Sequence, residues 1–215
     1  MSKAYTEDLL ISQLDLDRTW RIKEISDLKS AILAADSVSK NVLLRALVTL
    51  SYAHWEGFIR FSARKYFEHI SLRKFRYGEL DQQFLRNYFL PRLAALSSTT
   101  ATVSERCEIV DEILSSSDKR FSRFNEDIVN TRSNLSFDVF RDICLVCGVS
   151  IDQFTADQSF VDLILLKRRN EIAHGEETLI DADDLDQIVD RTLGLMRRFA
   201  TALQNRVVLS EYKSA

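Results

Sequence analysis

NVLLRALVTLSYAHWEGFIRFSARKYF, residues 41–67, is apolar on nearly every side of a helical wheel, and its reading decides the fold. A helix whose flanks carry Tyr52, Trp55, Phe58, Phe61, Tyr66 and Phe67 has no broad polar face to turn to water, so other elements must surround it. The lone Gly57 inside it costs about 1 kcal/mol relative to Ala unless a neighbour comes close. A close helix crossing at Gly57 is the simplest account. Upstream, Asp36-Ser37-Val38-Ser39 supplies stop and N-cap chemistry. Before it, from about Glu7 to Ala35, Leu10, Leu14, Ile22, Ile25, Leu28, Ile32 and Leu33 recur at helical spacing, which predicts one long amphipathic helix, straight or bent.

Composition extends this reading to the whole chain. Five Gly and one Pro in 215 residues lie far below the usual share of roughly one residue in eight for the two together, so the turn chemistry an all-β chain needs is scarce. The chain is read as all-α. With 46% hydrophobic and 28% charged residues, disorder is excluded, and a net charge of −3 excludes a wholly basic nucleic-acid coat. No window of about eighteen residues is free of charge, as a bilayer-spanning helix requires. The nearest, residues 42–59, contains Arg45, His54 and Glu56. The first residues reach Glu7 and Asp8 before any apolar run, unlike a secretory leader, and the three cysteines are too few and odd for a disulfide framework. These features point to a cytoplasmic protein with no membrane partner.

Further along, a helix is expected from Asp81 to Leu90, ending near Pro91, and a loop at Ser97 to Thr100. Shorter helices follow at Ser104 to Leu114 and Phe137 to Cys147, separated by the polar runs from Ser115 to Arg120 and from Asn130 to Ser136. Two strongly periodic stretches, Asp157 to Ala173 and Asp184 to Val207, are joined by a loop that Gly175 opens. With no internal repeat or low-complexity linker, residues 1–215 read as one domain, in which about 79–157 form a helical insertion.

Three constellations could carry chemistry. Cys144 and Cys147 have CxxC spacing, but no second pair completes a zinc site, so two buried small apolar residues are the better reading and no metal or cofactor is expected. Between Arg60 and Arg76, six cations (Arg60, Arg64, Lys65, Arg73, Lys74 and Arg76) face the single acid Glu68, with Tyr66, Phe67, His69 and Phe75 interspersed. Such a surplus holds phosphates, or else is a solvated helix end whose cations suit the dipole.

The third is Arg169-Asn170-Glu171-Ile172-Ala173-His174-Gly175. At 100° per residue Arg169 falls in the apolar arc of Val161, Leu165, Ile172 and Ala173, where a permanent cation needs an anionic partner. Glu56 or Asp162 could serve. His174 sits at the helix end before a glycine stop, its ring able to reach solvent. With Asn170 it forms a proton-transfer group beside an anion clamp, or else an imidazolium on a helix dipole beside a structural ion pair. Glu56 has two readings of its own, an ion pair with Arg60 or a support for Arg169. The acidic run Glu176, Glu177, Asp181, Asp183, Asp184, Asp186 and Asp190 opens the last helix with a favourable dipole match, capped by Asp181 or Asp183.

Residues 169–175 resemble the RNxxxH motif of the HEPN superfamily of all-α ribonucleases. Tyr52-Ala53-His54-Trp55-Glu56-Gly57-Phe58 resembles the aromatic-acidic-glycine segment of the central helix in its RiboL-PSP-like branch. The resemblance implies an up-and-down helical bundle with an elaborated middle, which pairs with itself as a homodimer. It implies metal-independent endonuclease action on RNA at the shared cleft, with Arg169, Asn170 and His174 catalytic. It also implies a toxin or defence role, held in check by a partner protein such as an antitoxin. The alternative within the same superfamily is a non-catalytic helical module that acts through a partner.

Overall fold

The structure is a computed structural model, described here for residues 5–96 and 101–214. Among those residues it is all-α, with no strand. Helices α1 (Glu7–Ala34), α2 (Ser37–Ser71) and α7 (Asp184–Val208) pack together as the body of the fold. The middle adds α3 (Gln82–Leu96), α4 (Val103–Ser115) and α5 (Phe137–Cys147), and α6 (Arg168–Ala173) precedes the last connection. The expected loop at 97–100 lies outside the described residues.

The local signals act as their chemistry dictates. The Thr6 hydroxyl accepts from the Leu9 amide and caps α1, and Asp36 accepts from the Val38 and Ser39 amides at the start of α2. Helix α2 then runs through the middle of the core: Trp55, Phe58, Ile59, Ala63, Tyr66, Phe67 and Ile70 are fully buried. Phe140 of α5 gathers this core, with ring centroids 4.8 Å from Trp55, 5.0 Å from Phe154 and 5.7 Å from Phe199. Helix α4, in contrast, buries none of its side chains.

Several expectations need correction. Pro91 does not end α3, which continues to Leu96. A proline costs one backbone hydrogen bond but does not forbid continuation, and the turn after it is held from outside: Arg92 lies 5.2 Å over the Tyr88 ring and pairs with Glu112 of α4. The approach to Gly57 comes from a side chain, not a helix backbone, since a Cβ there would sit 2.8 Å from Nη1 of Arg21. The start of α7 receives no side-chain bond from Asp183; instead Asp181 Oδ1 accepts from the Asp183 amide one turn earlier. Finally, residues 157–173 are not a uniform α-helix. Asp152–Asp157 is a 3₁₀ turn, and Phe160–Lys167 is π-helical before α6 begins.

At the end of α2, His69 is fully buried with neither ring nitrogen hydrogen-bonded, 5.4 Å from the Tyr5 ring. Burial, helped by the charge of Arg73, pushes its pKa from the ordinary 6.5 down to about 4. The unfolded chain therefore takes up a proton below pH 6.5 that the folded chain refuses. Stability is full above that pH and falls as acid is added toward pH 4, by on the order of 3 kcal/mol there. Urea melts of the parent and of His69→Phe between pH 4 and 7 should diverge on the acid side, with the variant the less sensitive; parallel curves refute the assignment.

Candidate functional site

The π-helical stretch sets the site. A π turn closes i to i+5 rather than i to i+4, so every residue after it is rotated from where a uniform 100° step places it. Val161 and Leu165 are buried as expected, but Ala173 is exposed. Arg169 turns inward, against α2. Its guanidinium lies 3.9 Å over the Tyr52 ring, a cation–π contact. Its Nη2 donates to the Ser133 carbonyl at 3.3 Å and to Asn134 Oδ1 at 3.0 Å, while Nε is buried with no partner.

The carboxylates expected to neutralise Arg169 are engaged elsewhere. Glu56 Oε1 accepts from the Thr131 hydroxyl at 2.5 Å and pairs with neither Arg169 nor Arg60. Asp162 Oδ1 accepts from the Phe137 amide at 2.8 Å, capping α5. Among the described residues Arg169 has no ion pair. Its charge is met by the ring and hydroxyl of Tyr52, the Ser133 carbonyl and the Asn134 amide oxygen, with no carboxylate paired to it among the described residues.

Residues 130–136, read from the sequence as a mere separator, form the wall opposite. Arg132 and Ser133 are both left-handed, at φ 53° and 59°, a conformation that costs L-residues roughly 1–2 kcal/mol each. The loop is held against that cost at several points. Thr131 donates to Glu56, the Leu135 amide donates to the Tyr52 hydroxyl at 2.5 Å, and Asn130 Oδ1 accepts from the Arg132 amide at 2.8 Å. Burial pushes the Tyr52 phenol above its ordinary pKa even against the pull of the Leu135 amide, so it stays protonated. The Asn-Thr-Arg-Ser-Asn composition signals a turn, since Asn and Ser side chains bond nearby backbone, but it does not mark Arg132 and Ser133 as the left-handed residues.

His174 is the C-cap of α6. Gly175, at φ 80°, donates to the Ile172 carbonyl, and the Glu176 amide donates to the Glu171 carbonyl at 2.9 Å, a Schellman stop. The His174 ring is exposed and makes no hydrogen bond among the described residues. Asn170, one turn earlier, is half-buried with its amide likewise unengaged. The following loop is tied back by Arg45, which donates to the carbonyls of Glu176 and Thr178. The acidic flank is partly neutralised, Asp184 by Arg168 at 2.8 Å and Asp186 by Lys29 at 2.6 Å.

The structure divides the basic cluster. Arg60, Arg64 and Lys65 line an open cavity of about 620 Å³ on the α2 surface. Arg73 donates to the carbonyls of Tyr5 and His69, Lys74 is left-handed at the turn after α2, and Arg76 pairs with Asp118, so these three serve the chain reversal. Cys144 and Cys147 are buried, and burial pushes both thiols up, away from the thiolate a metal needs. No group of three or more metal-ligating side chains occurs among the described residues, and no described helix is long and apolar enough to cross a membrane.

Comparison with known proteins gives one finding. Neither the curated proteins nor the solved structures provide a match. A family model described as RiboL-PSP-HEPN matches residues 16–205, taking in the Tyr52–Phe58 segment, the Arg169–His174 segment and the middle between them. The chain belongs to the RiboL-PSP-HEPN family.

Proposed function

We propose that this protein is an endoribonuclease that cuts RNA without a metal, at a cleft shared by two copies, with Arg169, Asn170 and His174 as its working residues. The observation that carries this reading is the state of Arg169: a fixed guanidinium with no carboxylate partner and an orphaned Nε. It stands five residues before an exposed imidazole at the C-cap of the same short helix. A structural arginine in a half-buried place is ordinarily neutralised. This one is prepared for a charge that arrives.

The reaction needs two proton transfers. A base takes the proton of the ribose 2′-hydroxyl as that oxygen attacks phosphorus, and an acid protonates the 5′-oxygen as its bond to phosphorus breaks. One copy offers one placed histidine, so His174 of each copy takes one role. Arg169 stabilises the non-bridging oxygens as charge accumulates on them, in the manner of an oxyanion hole. Asn170 orients the phosphate. The products are a 2′,3′-cyclic phosphate and a 5′-hydroxyl. Pairing is supported by a shallow apolar dish of about 540 Å³ beside the site, where Leu28, Val42, Ala46, Leu50 and Ala53 meet Ile172 of the motif helix. A second copy seated there brings its own α6 close.

Such an activity needs restraint in the cell, which fits a toxin or defence role checked by a partner protein. The test is incubation with single-stranded RNA in excess chelator, with the product ends identified by mass spectrometry. Fragments ending in cyclic phosphate are expected. Intact RNA, or fragments that appear only when a divalent metal is supplied, overturns the reading and leaves a helical module acting through a partner.

A further inference from the structure

We propose that the cavity on α2 is a nucleotide subsite, taking the phosphate and base of a single-stranded RNA segment some distance from the cut. The proposal rests on the nuclease reading for its substrate class but not for its geometry. The cavity, about 620 Å³, has the size of a small-ligand pocket. Its lining carries Arg21, Arg60, Arg64 and Lys65 against two carboxylates, Glu68 and Glu126. Arg64 pairs with Glu126, and Lys65 with Glu68 at 2.7 Å. Arg60 is exposed and has no ion pair among the described residues, so the cavity keeps a net positive charge in a chain that is negative as a whole.

Two features suit a nucleotide better than a bare anion. Phe61 and Phe124 form apolar walls, and Phe124 is a fixed platform because its other neighbour is Phe67, stacked at 5.3 Å and 25°. A base lies on such a ring while its phosphate meets the cations, the pairing by which single strands are held without sequence readout. Arg21 is placed by Asp17, at 2.7 Å, and by the missing side chain of Gly57.

The cavity also continues the candidate site. Tyr52, Glu56, Arg60 and Arg64 follow one another at four-residue intervals and form a slowly turning stripe on α2. The chain from Glu126 to Asn134 walls that stripe throughout, through Glu126 on Arg64, Thr131 on Glu56 and Asn134 on Arg169. Arg60 lies two helical turns, about 12 Å, from Tyr52. That distance corresponds to roughly three nucleotides of a stacked strand.

The test is fluorescence anisotropy of a labelled twelve-nucleotide RNA on full-length His174→Ala protein, which holds the strand without cutting it. Arg60→Ala and Phe124→Leu are each expected to weaken binding roughly tenfold. The salt dependence of Arg60→Ala should fall by about 0.7 in its logarithmic slope. Gly57→Ala, a better helix former that keeps the fold, should weaken binding by displacing Arg21. Adenosine monophosphate competing at the same cavity with comparable affinity would identify a free nucleotide as the occupant, and weak competition an RNA segment. Unchanged affinity and salt slope in the Arg60 and Phe124 variants overturns the subsite, whether or not the parent cuts RNA. Loss of binding in these variants, with a parent that never cuts, sustains the subsite and sinks the nuclease instead.

Discussion

His174→Ala protein is expected to lose RNA cleavage by a factor of about 10² to 10⁴, the range that a positioned acid or base supplies, with no change in thermal stability. The stability arm follows from exposure: the ring makes no hydrogen bond among the described residues, and the helix stop is made by backbone groups of Gly175 and Glu176. Arg169→Ala should lose about as much, by removing the charge that meets the phosphoryl oxygens, roughly 10² to 10³. Arg169→Lys discriminates further. It restores the charge but neither the planar face over Tyr52 nor the fork to Ser133 and Asn134, so it should remain close to the alanine variant in rate. If instead lysine recovers most of the rate, Arg169 acts as a diffuse charge and the fixed geometry is irrelevant. Mixing parent with His174→Ala protein adds a test of the shared cleft, because a mixed pair carries one His174 where the reaction takes two. Cleavage that falls more steeply than the parent's share of the mixture supports a composite site, and cleavage proportional to that share argues for sites that act alone.

What could be read in the sequence was what local chemistry decides. The apolar run at 41–67 must be central because a helix so covered with aromatic and aliphatic side chains has nowhere else to go, and α2 is indeed the axis of the core. Phe137–Cys147 was bounded correctly because Ser136 caps it and Gly148, at φ 68°, ends it. Arg169 turns onto the Tyr52 ring, but the apolar arc read from the wheel does not surround it and its partners Ser133 and Asn134 are not legible in the sequence. A helical wheel assumes a uniform turn, and the π-helical Phe160–Lys167 breaks that assumption just before the motif. Glu56 is read from the sequence as a support for Arg169 or a partner of Arg60, but the side chain that engages it, Thr131, comes from 75 residues away. Contacts of that range depend on how the 130–136 loop folds back, and nothing in its composition says onto which helix it folds.

Tyr52 joins the fold to the site, and its two simplest variants should separate those roles. Only 3% of the residue is exposed, its ring carries the Arg169 guanidinium, and its hydroxyl accepts the Leu135 amide. Tyr52→Ala removes a buried ring and should destabilise the protein by about 3–5 kcal/mol, as large aromatic truncations in a core do. Tyr52→Phe keeps the ring and the cation–π contact but strands a buried amide, which costs about 1–3 kcal/mol. That amide belongs to the segment with two left-handed residues, so the loss falls on the part of the structure with the least to hold it in place. Urea denaturation gives the stability values, and hydrogen exchange at residues 130–136 locates the loosening. In Tyr52→Phe protein those amides should exchange faster while α2 and α7 keep their protection, and cleavage should fall by about tenfold because Arg169 loses the rigidity of Ser133 and Asn134. Equal protection in parent and Tyr52→Phe protein would mean that the hydroxyl does not organise the loop, and the platform role of Tyr52 would then rest on its ring alone.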